Sequence, residues 1–443
     1  MGRSEARPAQ FMNWQDQLRK KLISADEAAS MVESHQVIGA GMAAATPVSL
    51  LSALGERYGR FEGVRVLSAL TIGGAFDFLR DPGAKGRILL ESMFFGPNER
   101  AGQAIGTADF LPVHGRDFGP RVAASNRFDL FWGTATPMDA HGHFSLSLSV
   151  AYEKDWAESA RRVVLEVNPN LPRTYGDTQI HLRDVDYVVQ AERPPIEIPA
   201  ADPDADEEAI GRYVAELIED GSTIQLGIGG IPNAIARNLL DKRDLGVHTE
   251  MFSDGMVDLW EAGVATGKRK TLWNGKMVGA FALGTRKLYD FVHENLAVEF
   301  QRGRVTNDPT VIAGNYRMVS VNTALQVDLT GQVVAEAIGP QQYSGTGGQL
   351  DTALGAQKSP GGKSVIALRS RARGGTVSAL VASLPAGSRV TLPRAETDYV
   401  VTEHGIAHLK GRSLRDRARL LIGLAHPDFR ESLRDEARCL GLL

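Results

Sequence analysis

Cysteine is nearly absent: Cys439 is the only one in 443 residues, so no intramolecular disulfide or thiolate metal cluster can form, and a secreted disulfide scaffold is excluded. Long apolar runs are missing too. No stretch of about 18 uninterrupted apolar residues occurs, and the N-terminal MGRSEARPAQFMNWQDQLRKK lacks the apolar core of a signal peptide. A cytoplasmic chain that contacts no membrane is expected. Charge of one sign is equally scarce: 49 basic residues face 53 acidic ones, a net charge of −4, which leaves no broad field for gripping nucleic acid. What the chain does have is glycine. There are 47, above the usual level of roughly 7%, and they gather in short motifs.

With 43% hydrophobic and 23% charged residues, the chain reads as globular, and its length predicts two or three domains. Short apolar runs such as VRVLSAL (64–70), RFDLFWGTA (127–135), RRVVLEVN (161–168) and VDYVVQ (185–190) alternate with helix-like stretches, the pattern of buried parallel strands in an α/β fold. Ser24 and Glu27 form a capping-box pattern at the start of a helix. Between Ala191 and Glu208 the proline-rich and acidic AERPPIEIPAADPDADEE predicts a linker, giving domains at 1–199 and 200–443. VIGAGMAAATPVSLLSAL (37–54) aligns with IQLGIGGIPNAIARNLL (224–240), each an apolar strand, a glycine turn and a helix. A second strand and glycine follow in both, so the chain reads as a duplicated open α/β domain. On this alignment Glu250 falls opposite Ala69.

Three motifs carry candidate chemistry. GIGGIP (227–232) sets glycines after a buried strand, where backbone N–H groups approach a ligand and a helix N-terminus faces an anion; a turn required only for packing is the alternative. GxGxxP departs from the dinucleotide fingerprint. HTEMFSDG (248–255) places Glu250 in an apolar segment, where a carboxylate is costly unless paired or used as base or nucleophile. YSGTGGQLDTALGAQKSPGGKS (343–364) reads as a backbone-lined binding loop, and Gln357 stands where a phosphate P-loop needs glycine. His141, His143, His404 and His408 lack a supporting thiol or HExxH partner for metal, so no metal site is expected. Arg412, Arg415 and Arg417 read as a solvated helix face.

These motifs, together with LEVNPNLPRTYGDTQIH (165–181), LGVHTEMFSDGMVDLWEAG (245–263), NDP (307–309), VNTALQVDLTGQV (321–333), VVTEHGIAHLKG and AHPDFR, resemble the acetyl-CoA hydrolase/transferase family, a branch of the family I coenzyme A transferases. The resemblance implies two related open α/β domains with the active site between them, and a CoA-transferase that uses acyl-CoA and a small carboxylate as substrates without a resident cofactor. It further implies that Glu250 attacks the thioester and becomes a γ-glutamyl-CoA thioester, with 4-hydroxybutyrate, butyrate or itaconate as acceptor. Gly229 and Gly230 would supply the oxyanion region. Gly227, Ile231, Pro232, Asn322, Gly345, Gly347, Gly348, Gln349 and Lys363 would line the CoA site, and His141, Asn168 and Pro169 the acceptor side. A homodimer or higher homo-oligomer is the family expectation. The alternatives are an acyl-CoA hydrolase, the same start intercepted by water, and a non-catalytic CoA or sugar-phosphate sensor. Glu294 in FVHEN is a rival glutamate without a glycine turn beside it.

Overall fold

The computed structural model describes residues 13–199 and 202–443; the expected boundary at residue 200 lies outside them. The first half builds an all-parallel eight-stranded sheet in the order Leu22–Ile23, Tyr187–Gln190, Val163–Val167, Leu130–Ala135, Val37–Ala40, Val64–Ser68, Ile88–Ser92, Ala108–Phe110. Val37–Ala40 and Leu130–Ala135 are buried throughout, because helices cover both faces of such a sheet. The apolar runs read from sequence are these strands, trimmed by a few residues.

The second half places Gly246–Val247, Thr223–Gln225, Met318–Thr323, Lys363–Ala367 and Tyr399–Thr402 side by side in parallel, with Gly405–His408 antiparallel at the edge. Numbered along the chain, its five parallel strands lie in the order 5-4-3-1-2. The same order holds in the first half for the strands beginning at 37, 64, 130, 163 and 187, with two further strands added beyond the second and Leu22–Ile23 beyond the fifth. This is a common order for doubly wound sheets, and it is compatible with the duplication read from the sequence.

Helix starts follow local chemistry. Ser24 caps Ala25–Ser30 in a complete capping box with Glu27, and Asp204 does the same with Glu207 for Ala205–Leu217. The segment from Ala191 to Asp204 has no regular structure where described, yet it is anchored: Arg193 pairs with buried Glu166, and the Tyr289 hydroxyl donates to the Ile196 carbonyl at 2.6 Å. One hydrophobic cluster runs through both halves, taking in Phe131, Phe144 and Leu165 with Phe281, Phe300 and Val321. Among the described residues no helix is long and apolar enough to cross a membrane.

Candidate functional site

In an open parallel sheet, ligands bind beyond the carboxyl ends of the strands, where loops converge. Thr223–Gln225 runs there into Gly227, and Gly246–Val247 runs toward Glu250. Glu250 itself sits in a bend and not in a strand. Its carbonyl accepts from the Ala280 and Phe281 amides at 2.9 and 3.1 Å, and the Thr249 hydroxyl donates to the Leu226 carbonyl at 3.3 Å. The nucleophile candidate is thereby tied to the glycine turn.

Three groups surround the carboxylate. The Asn307 amide donates to Glu250 Oε2 at 2.7 Å, and the Gly348 backbone N–H also donates to it. A Cβ at Gly348 would collide with Oε2, and one at Gly115 would collide with the Asn307 amide, so both glycines are required for space. Asp351 approaches from behind, its fully buried side chain paired with the Arg116 guanidinium and accepting from the Arg116 amide at 3.0 Å. Burial pushes the Glu250 carboxyl up to about 7; the Asn307 bond opposes this, Asp351 adds to it, and the Gly348 N–H pulls the other way. Near neutral pH a substantial fraction is ionised. A carboxylate there carries a poorly solvated charge and is chemically able to act as a nucleophile.

Asn307 is itself held in place. It ends the short helix Gly303–Thr306, and the Thr306 hydroxyl donates to its Oδ1 at 3.2 Å, which turns the amide N–H group toward Glu250. His248 Nε2 lies 3.0 Å from the Thr306 carbonyl. Burial holds His248 down to about 3, so it is neutral and donates through Nε2.

A cavity of about 310 Å³ opens in front of the carboxylate. Met42, Leu70, Phe94 and Phe118 of the first half form one wall, and Gly227, Ile228, Ile231, Pro232, Phe281, Val321, Asn322, Gly345, Gly347, Gly348 and Gln349 the other. The size suits a short acyl group with its thioester. Asn322 and Gln349 are fixed, donating to the Thr352 hydroxyl at 3.0 Å and the Thr323 carbonyl at 2.9 Å. Among the described residues no cluster of His, Cys, Asp or Glu is arranged to hold a metal ion.

The cavity thus gathers Glu250 with Gly227, Ile231, Pro232, Asn322, Gly345, Gly347, Gly348 and Gln349. Other expected residues lie elsewhere. Gly229 and Gly230 do not line it: Gly229 has open space where a side chain would be, and Gly230 abuts the Glu207 carboxylate. The donors that reach Glu250 are Asn307 and Gly348 instead. Lys363 opens its strand, three residue pairs before the level of Asn322, where its ammonium donates to the Leu217 carbonyl at 2.8 Å and pairs with Glu219; the glycine-rich segment gives way to helix Gln349–Lys358 before reaching it. His141 is exposed in a turn capped by Asp139. Asn168 is buried and spent on the Asn170 amide and the Arg193 carbonyl, and Pro169 lines a separate cavity beside Leu18 and Val188. Glu294 is exposed, past helix Arg286–Val292. Asn307 lay within a recognised motif without a role of its own. Asp351 likewise lay in the 343–364 motif without a role, while Gly115 and Arg116 had no local signal, since Arg116 matters through a contact with Asp351 more than 200 residues away in sequence.

With this geometry established, comparison with known proteins is informative. The acetyl-CoA hydrolase/transferase N-terminal domain matches residues 6–198 and the C-terminal domain of the same name matches residues 284–437. The 4-hydroxybutyrate coenzyme A transferase of Clostridium kluyveri is 43% identical over 427 residues, covering 96% of this chain and 99% of the relative. The succinyl-CoA:cyclohexane-1-carboxylate CoA transferase of Geobacter metallireducens is 41% identical, covering 96% and 97%. The crystal structure of RipA from Yersinia pestis superposes with a TM-score of 0.93 at 38% identity, over 98% of this chain and all of that one.

Proposed function

Since the chain belongs to the acetyl-CoA hydrolase/transferase family and is a coenzyme A transferase, we propose that it moves coenzyme A between a short acyl-CoA and a small carboxylate through a γ-glutamyl-CoA thioester on Glu250. The Glu250 carboxylate attacks the thioester carbonyl and expels the CoA thiolate, leaving a mixed anhydride. The thiolate attacks the glutamyl carbonyl and releases the first carboxylate. An incoming carboxylate then attacks the glutamyl thioester, expelling the thiolate and forming a second anhydride. The thiolate takes the acyl group from this anhydride, and the Glu250 carboxylate is restored.

The observation that carries this reading is the carboxylate at the cavity wall with two donors, Asn307 Nδ2 and Gly348 N–H, converging on it. Once Glu250 is acylated, the same donors face its carbonyl oxygen and stabilise the oxyanion that forms at each attack there. The cavity lining contains no Lys, Arg or His, so it favours an aliphatic monocarboxylate such as butyrate or 4-hydroxybutyrate over a dicarboxylate such as itaconate, whose second charge would find no partner. Acetyl-CoA is the proposed donor.

The test is to trap the intermediate. Incubation with acetyl-CoA followed by borohydride or hydroxylamine is expected to modify Glu250, with butyrate-dependent formation of butyryl-CoA in a parallel assay. CoA release that is independent of any added carboxylate would establish a hydrolase instead. Modification of the chain in the Glu250→Gln variant would show that the nucleophile is another residue.

A further inference from the structure

Nothing in the reaction above uses a second cavity of about 340 Å³ lined by Asp206, Arg369, Arg371, Arg373, Gly374 and Gly375. It is built by a hairpin of strands Arg371–Ala372 and Val377–Ser378 whose tip, Arg373, Gly374 and Gly375, has three consecutive positive φ angles of 50, 66 and 90°. At this left-handed tip Arg373 and Gly374 are exposed, and Arg371 and Gly375 partly so. The two cavities lie on either side of the Gly229–Gly230 turn. Gly230 abuts the Glu207 carboxylate, Glu207 pairs with Arg369 at 2.9 Å, and the neighbouring Ile228 and Ile231 line the acyl cavity.

The sheet gives the spacing. Glu250 lies beyond strand Gly246–Val247, Gly227 beyond the next, Asn322 at the end of the third and Arg369 beyond the fourth, Lys363–Ala367. Three strand spacings make roughly 14 Å at ~4.8 Å each. A pantetheine arm, equal in bonds to about four extended residues, covers roughly the same distance at ~3.3–3.6 Å per residue. A thioester at Glu250 with its chain laid along the carboxyl edge of the sheet therefore delivers its far end to the arginines.

Three carboxylates face these arginines. Arg369 is held by Asp204 at 2.6 Å and by Glu207, Arg371 stands a loose 3.8 Å from Asp206, and Arg373 has no carboxylate partner among the described residues. Arg369 is thus a fixed part of the wall, while Arg371 and Arg373 are available to an anion. We propose that this hairpin binds the phosphate groups at the nucleotide end of the coenzyme A ester, with Arg371 and Arg373 as the phosphate ligands. The proposal rests on the CoA-transfer reading and assigns the remote part of the same substrate. Guanidinium forks suit phosphate oxygens, and their exposure makes the attraction sensitive to salt.

The test compares acetyl-CoA with S-acetylpantetheine, which carries the same thioester without phosphates. In the Arg371→Ser/Arg373→Ser double variant, KM for acetyl-CoA is expected to rise about tenfold, with kcat and the KM for S-acetylpantetheine unchanged. Lysine at both positions should recover most of the loss. In the unaltered protein, added salt should raise KM for acetyl-CoA more steeply than in the double variant. Equal effects of the double variant on both donors, or none on either, would overturn the subsite alone. Failure of the unaltered protein to turn over either donor would overturn the transfer reading, and the subsite with it.

Discussion

Gly348 leaves no room for a side chain beside the Glu250 carboxylate, and Gly348→Ala is expected to lower kcat by at least about a hundredfold by displacing a reacting group, with little change in the melting temperature. Steady-state kinetics beside thermal unfolding separate the two effects. The pH dependence has a definite sign. The carboxyl is pushed up to about 7 and in the proposed reaction attacks only when ionised, so the rate of glutamyl-thioester formation should rise with pH through that region and level off above it. Asp351 raises the Glu250 pKa by its charge. Asp351→Asn should therefore move the rising limb to lower pH, which a pH profile of single-turnover acylation reads directly; a limb that stays in place would deny Asp351 this influence. Residue identities at the site were legible only in part. Glu250 and the glycines stood out because buried carboxylates and clustered glycines are costly, whereas Asn307 and Arg116 are ordinary polar residues until the fold brings them to Glu250 and Asp351.

At the scale of elements, the turn after Thr223–Gln225 depends on Gly229, whose φ of 117° with an extended ψ is open to glycine alone. Gly229→Ala should cost about 1–3 kcal/mol of stability, measurable by denaturant unfolding, even though no atom obstructs the methyl group. The strand, glycine turn and helix were readable here because apolar runs, glycines and caps act locally. The reading was weaker where an element is defined by its neighbours. Glu250 lay in an apolar run of strand-like composition, but the chain bends there to hydrogen-bond with Ala280 and Phe281. Lys363 followed a glycine-rich stretch and yet belongs to the amino end of a central strand, because a ten-residue helix intervenes.

Across the whole molecule, Arg302 joins the halves. Its nearly buried guanidinium pairs with Asp155, Glu158 and Asp177 of the first half, each at 2.6 Å, at the start of the short helix that ends on Asn307. Arg302→Met should destabilise the protein by roughly 3–5 kcal/mol, since it leaves buried Asp155 with only the longer 3.4 Å pairing to Arg304, and should lower kcat through Asn307. Urea unfolding and kinetics on one preparation test both. The duplication was visible in the sequence through its first strand and turn, but the shared strand order needed the sheets themselves.

The first half carries alanine at the place matching Glu250, just past its own second strand, and contributes Gly115 and Arg116 instead: the Gly115 amide donates to the Gly347 carbonyl at 2.8 Å and Arg116 braces Asp351. The half without the carboxylate is thus a component of its sister's site. Any movement that parts the two halves would therefore change how reactive Glu250 is as well as how accessible it is.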